Sequence, residues 1–174
     1  LSQMTVDEKT CQLATLYGAG RVLKDSLPTS GWKNEIWKDG IANIDEHLNG
    51  IGRASRTSFN LMYPFSNHAE AINIVQRWFI EETRLGIPVD FSNVGPHGLN
   101  HARATPLPAP IAIGSTWYSD LGRLVRDIDG REAQALGYTN FYAPILYIPR
   151  ALRSGLRIEC SREDPYLAPL LFLR

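Results

Sequence analysis

The sequence is short of several things, and each shortage closes off a class of function. It has two cysteines, Cys11 and Cys160. Two thiols so far apart give neither a disulfide framework nor a metal-ligand spacing, so buried free thiols are the default reading. No apolar run reaches the about 20 residues that cross a bilayer, which argues against a membrane partner. Neither sign of charge is in excess, since Lys plus Arg and Asp plus Glu each total 18. A duplex-binding domain normally shows a basic excess or stripe, so nucleic acid is also an unpromising partner. No Asn-x-Ser/Thr acceptor occurs. The opening Leu1-Ser2-Gln3-Met4 leads straight into a helix start, which reads as a trimmed mature domain without a signal peptide.

What is present suits one soluble globular domain over residues 1–174, because a chain that is 44% hydrophobic and 21% charged can bury a sizeable core. The four Trp could stack on sugar rings, although core filling is the more ordinary use of such rings. Thr5-Val6-Asp7-Glu8 reads as a capping box, followed by a short amphipathic helix through Val6, Leu13 and Leu16 that Gly18 closes. Residues 18–65 read as an irregular arm, with a broken helical pattern over Trp32 to Leu48. Ser66 then caps a helix running to Leu85, with Ala69, Ile72, Val75 and Phe79 on its apolar face. Ile87 to Phe91 reads as a strand entered through Pro88. The apolar stretch Ala109 to Ile113 reads as a short strand or strand-like turn. A helix from Ser119 to Leu136 follows, using Leu121, Leu124, Val125, Ile128 and Ala135, and then an apolar strand from Asn140 to Ile148.

This alternation predicts an α/β fold with parallel strands and crossover helices. A closed eight-unit barrel takes about 250 residues, so the chain holds an open sheet or a partial (β/α) TIM-type barrel. In either architecture ligands meet the loops after the carboxyl ends of strands. Two loops qualify. Ser92 to Thr105 carries Asn93, His97, Asn100, His101 and Arg103 around Gly95 and Gly98, and polar side chains spaced by glycines suit the hydroxyls of a sugar. Composition alone favours an ordinary solvated loop. His97 and His101 sit four apart but without helix periodicity, so a zinc pair is a weak reading and no metal site is assigned. Pro149 to Glu163 carries Arg150, Arg153, Arg157 and Arg162 beside Glu159, Glu163 and Asp164. Such a cluster binds a hydroxylated ligand or merely neutralises itself on the surface.

Several stretches, in one order, resemble the N-terminal barrel domain of glycoside hydrolase family 3. They are Met4-Thr5-Val6-Asp7-Glu8-Lys9, Trp37-Lys38-Asp39-Gly40-Ile41, His68-Ala69-Glu70-Ala71, Glu82-Thr83-Arg84-Leu85-Gly86-Ile87-Pro88, Gly130-Arg131-Glu132-Ala133, Leu136-Gly137-Tyr138-Thr139-Asn140 and Glu163-Asp164-Pro165-Tyr166-Leu167. The resemblance implies a retaining β-glucosidase or β-xylosidase with a β-linked saccharide as substrate and no cofactor, in a periplasmic or secreted setting. Retention requires two carboxyl groups about 5 to 5.5 Å apart. The resemblance places both of these, and the sugar-binding Lys-His pair, past Arg174, so no catalytic residue is assigned here. Candidate substrate-binding residues are Arg157, Arg150, His97, Asn93 and Glu159.

The sequence also departs from the family pattern. An acid that holds sugar hydroxyls in the first loop is Val94 here, and the sugar-binding arginine of the second loop aligns with Leu156. Arg157 stands one place late and substitutes only if the loop shifts. Pro169 falls where the next helix should continue. Loss of two charge-assisted hydrogen bonds, each about 1.5 to 3 kcal/mol, weakens sugar binding by several powers of ten. The expectations are therefore a β-glycosidase portion inactive by itself, a non-catalytic saccharide- or partner-binding half-barrel, or a fragment that self-associates or pairs with the rest of a barrel through an open sheet edge.

Overall fold

The structure, a computed structural model, describes residues 1–17, 23–24, 27–28, 40–45, 65–151, 153–166, 168 and 170. These form α1 (Val6–Cys11), β1 (Thr15–Tyr17), β2 (Leu23–Lys24), β3 (Leu27–Pro28), β4 (Asn43–Asp45), α2 (Phe65–Glu82), β5 (Asp90–Val94), α3 (Pro110–Ser115), α4 (Ser119–Ala135), β6 (Asn140–Tyr142) and a 3-10 turn at Arg157–Glu159. One sheet has the strand order β1-β4-β5-β6 and stays open among the described residues, while β2 and β3 form a separate antiparallel pair. The β1–β4 and β4–β5 pairs are parallel, as the alternation predicts. The chain divides into two compact units, residues 1–93 with 136–140, and residues 94–135 with 141–174.

In the first unit the register sorts the strands into rows. Leu16, Ile44 and Phe91 align across β1, β4 and β5 and are all buried. The flanking rows are Thr15–Asn43–Asp90 and Tyr17–Asp45–Ser92, which the strand's two-residue period places on the opposite face. That face is knitted by polar bonds. The Ser92 hydroxyl lies 2.8 Å from both Asn43 Oδ1 and Asp45 Oδ1, and Asn43 Nδ2 donates to Asp90 Oδ2 at 3.1 Å. Helix α2 buries His68, Ala71, Ile72, Val75 and Phe79, a stripe at helical spacing. His68, not Ala69, begins it, and its Nε2 lies 2.8 Å from the Leu136 carbonyl with the ring edge-on to Tyr138. Burial lowers the pKa of this imidazole, so the neutral ring donates to that carbonyl. The Gln76 amide takes both backbone groups of Val89, accepting from its N–H at 2.9 Å and donating to its C=O at 3.0 Å.

Several sequence expectations need correction. The capping box is present, with Thr5 and Glu8 exchanging bonds of 2.8 and 3.2 Å. Helix α1 nevertheless ends at Cys11 rather than near Gly18, because Thr15–Tyr17 pairs with β4 instead. Within 18–65, read as irregular, Asn43–Asp45 supplies a strand inside the main sheet, and β2 and β3 add a short hairpin. Most of that stretch, including the Trp32 to Leu48 pattern outside residues 40–45, and also Pro169, lies outside the described residues. Ala109 to Ile113 is not a strand. Pro110 opens helix α3, where its fixed φ and missing N–H cost nothing.

In the second unit α4 turns Leu124 outward and buries Gly122, Asp129 and Ala133. Strand β6 stops at Tyr142 rather than Ile148, ahead of Pro144, which has no N–H for a ladder. Helix α3 packs on the segment after the 3-10 turn so closely that a Cβ at Gly114 would stand 2.0 Å from the Ser161 carbonyl oxygen. Cys160 is fully buried there, and neither it nor Cys11 is in a disulfide. Trp117, at φ 58° and largely exposed, carries the Arg162 guanidinium 4.2 Å from its ring centre. No described helix is long and apolar enough to cross a membrane.

Candidate functional site

The loop that leaves β5 folds back on itself. Asn100 N–H donates to the Val94 carbonyl at 2.9 Å, and Leu107 N–H to the His97 carbonyl at 2.8 Å, so the two limbs run side by side. Gly98 makes this closure feasible. Its φ is +90°, and a Cβ there would stand 2.3 Å from the Thr105 carbonyl oxygen. The His101 ring is buried, and its Nδ1 accepts from Arg103 N–H at 3.1 Å, which places the ring proton of the neutral form on Nε2. Thr105 is fixed by α4, since its N–H and hydroxyl donate to the two Glu132 carboxylate oxygens at 2.9 and 2.6 Å.

Among the described residues of the second loop, Glu159 reaches the first loop's cavity. Glu159 ends the 3-10 turn, held by Glu159 N–H to Leu156 O and Cys160 N–H to Arg157 O, both 3.1 Å, with the buried Cys160 next to it. Together Glu159 and the loop line a cavity of about 400 Å³ whose walls are Val94, Pro96, His97, Gly98, Leu99, Asn100, His101, Ala104, Thr105 and Pro106. That volume falls among the about 300–1,000 Å³ of small-molecule clefts. Its lining mixes apolar side chains with imidazole, amide, hydroxyl and carboxylate groups. Such a set can hydrogen-bond several hydroxyls of a neutral, polyhydroxylated ligand.

Of the five substrate-binding candidates, the structure brings His97 and Glu159 together in this cavity. Asn93 is fully buried in β5 and is absent from its walls. Arg150 is exposed elsewhere on the second loop. Arg157 is turned to Glu163, its Nη2 2.8 Å from Oε1, rather than into the cavity. Val94, at the position where the family pattern has an acid, lines the cavity, and Leu156, at the arginine position, is exposed. Among the described residues no three His, Cys, Asp or Glu side chains gather as a metal site. The sequence gives Asp129 and Glu132 no site role, Glu132 entering only through the family-like stretch Gly130 to Ala133, because a carboxylate on a helix ordinarily signals the solvent side.

Comparison with known proteins bears on this geometry. The description "Glycosyl hydrolase family 3 N terminal domain" matches residues 5–172. A protein named as a β-xylosidase from Formosa agariphila is 28% identical over 173 residues, covering 96% of this chain and 21% of the relative. The thermostable β-glucosidase B of Acetivibrio thermocellus is 32% identical over 98 residues, 49% of this chain and 13% of its own length. Among solved structures, a β-glucosidase from Erythrobacter marinus superposes with a TM-score of 0.76 at 24% identity, over 98% of this chain and 21% of that one. The β-glucosidase from Listeria innocua in complex with glucose gives 0.70 at 24% identity, again over 98% and 21%. The chain thus spans about a fifth or less of the length of these relatives. The likenesses carry the fold, an α/β domain of the partial TIM-barrel type. With the family description covering nearly the whole sequence, the chain belongs to the N-terminal domain of glycosyl hydrolase family 3.

Proposed function

We propose that residues 1–174 form the sugar-holding part of a retaining β-glycosidase of the β-glucosidase or β-xylosidase type, acting on terminal non-reducing β-D-glycosyl residues. One observation carries the reading: the two loops expected to face a sugar meet in a single cavity at Glu159. A pyranose in it would offer hydroxyls to His97, Asn100, His101 and the Glu159 carboxylate. Arg150 and Arg157 would join only if the second loop re-seats on binding. Asn93, buried in β5, would serve as framework rather than touch the sugar.

Retaining hydrolysis uses one carboxylate to attack the anomeric carbon and one acid to protonate the leaving oxygen, about 5 to 5.5 Å apart. Among the described residues the cavity contains a single acid, Glu159. This portion therefore binds, while the attacking and protonating groups come from other parts of the protein. The chemistry needs no cofactor. Residues 1–174 expressed alone should turn over neither aryl β-glucosides nor aryl β-xylosides, and turnover abolished by Glu159→Gln would contradict the assignment.

A second reading is a non-catalytic saccharide-binding half-barrel. Val94 favours it, because an isopropyl group in the cavity replaces a charged acceptor for sugar hydroxyls. Titration with glucose and xylose separates the readings from a merely structural role. Binding of either sugar, weakened at least tenfold by His97→Ala, supports a saccharide site, and a flat titration at millimolar sugar counts against both. Among the described residues the sheet is open and β1 lies at its edge, which suits pairing with the remainder of a barrel or with a second copy. A clean monomer by light scattering would argue against that pairing.

A further inference from the structure

We propose that Asp129 and Glu132 of α4 are positioning residues for the cavity, a carboxylate clamp that grips the loop from behind at Leu99 and Thr105 and so sets where His97, Asn100 and His101 stand. The inference deepens the saccharide reading and rests on it for the identity of the ligand.

The two carboxylates are three residues apart, so the helix presents them on one face. Glu132 receives two bonds from one loop residue, the Thr105 N–H and hydroxyl at 2.9 and 2.6 Å. Asp129 accepts the Leu99 N–H. Leu99 and Thr105 both line the 400 Å³ cavity, and Thr105 lies directly against Gly98 across the loop. Fixing these two points fixes both limbs, because the limbs are already joined by the Leu107-to-His97 bond.

A packing role does not account for Asp129. Its side chain is 3% exposed, and among the described residues its Oδ1 has no hydrogen-bond partner. It faces a small cavity of about 20 Å³ that shares Pro96 and Gly98 with the larger one. A buried carboxylate satisfied on one oxygen is costly to keep, whereas an alanine would pack as Ala133 does one turn later. Burial pushes the Asp129 carboxyl up to about 6, the Glu132 charge adds to this, and the Leu99 amide opposes it. The helix thus carries two acids close enough to repel each other, both turned to loop backbone. That arrangement is explained if their task is to hold the loop.

The test is hydrogen exchange on the purified protein, read on peptides covering residues 95–107, together with sugar titration. Glu132→Ala and Asp129→Ala should each speed exchange over that segment at least tenfold, while exchange in α2 stays unchanged. Glucose or xylose affinity should fall at least tenfold in both. Conservative replacements keep an acceptor, so Glu132→Gln and Asp129→Asn should recover much of both losses, which a variant that merely unfolds the unit would not show. Unchanged exchange over 95–107 in a folded Glu132→Ala protein would overturn the clamp. If the native protein binds neither sugar, the saccharide reading falls, and the exchange comparison still decides the clamp.

Discussion

Replacing Gly98 by alanine tests the geometry on which the cavity depends. Two costs are written into the structure at this position. The backbone sits at φ +90°, and an L-residue in left-handed conformations pays about 1–2 kcal/mol that glycine does not. The added Cβ would also stand 2.3 Å from the Thr105 carbonyl oxygen, which is backbone and cannot rotate away. Overpacking of this kind costs about 1–3 kcal/mol. The sum is about 2–5 kcal/mol, which at about 2–4 °C per kcal/mol for a domain of this size lowers Tm by roughly 4–20 °C. Two variants separate the causes. Asparagine tolerates the left-handed region better than alanine, yet carries the same Cβ, so Gly98→Asn should fail nearly as badly as Gly98→Ala. The assay is denaturant unfolding, with hydrogen exchange over 95–107 as a local reading. A change below about 0.5 kcal/mol for Gly98→Ala would refute the closed-loop geometry, and full recovery by Gly98→Asn would show that only backbone conformation matters.

Three further perturbations have defined outcomes. Gln76→Leu keeps the bulk but abandons the buried Val89 N–H and C=O; at about 1–3 kcal/mol for each of the two orphaned groups it should cost about 2–6 kcal/mol in a denaturant melt, and a near-neutral result would contradict that pairing. The Asp129 carboxyl is raised to about 6, so the folded state holds its proton more tightly than the unfolded chain does; its contribution is full below about pH 4 and is lost as pH rises through 6, and Asp129→Asn should flatten that limb of the stability profile. Glu8 behaves oppositely, because the Arg84 guanidinium, at 2.5 and 2.8 Å, and the Thr5 N–H hold its carboxyl down at about 2; its contribution is present above about pH 4.5 and is lost as pH falls toward 2, a loss that should be absent from the acid melt of Glu8→Gln.

Legibility in the sequence followed the physical strength of the signals. The long helices were readable because their apolar residues recur at helical spacing, and α2 and α4 lie within three residues of their expected ends. The capping box was readable because Thr5 and Glu8 act locally. Strands β1 and β4 were not, since three residues are too few to show a period and Ile44 stands between polar Asn43 and Asp45. Only the register with Leu16 and Phe91 reveals its burial. Strand β5 begins later than Pro88 suggests, since Val89 spends both backbone groups on Gln76. In the cavity, His97 and Glu159 were visible as polar groups on the two loops expected to meet a ligand. Arg157 attracted notice by its charge, which Glu163 occupies. Asp129 gave no signal, and Glu132 stood out only as part of the family-like stretch Gly130 to Ala133, since what distinguishes both is the loop backbone they hold.

The most direct test of the central claim is a crystal structure of the protein soaked with glucose or xylose. The expected result is a pyranose between the His97 loop and Glu159, its hydroxyls within hydrogen-bond distance of both residues. Sugar density seated instead against Arg150 and Arg157, with the cavity at Glu159 left to solvent, would contradict it.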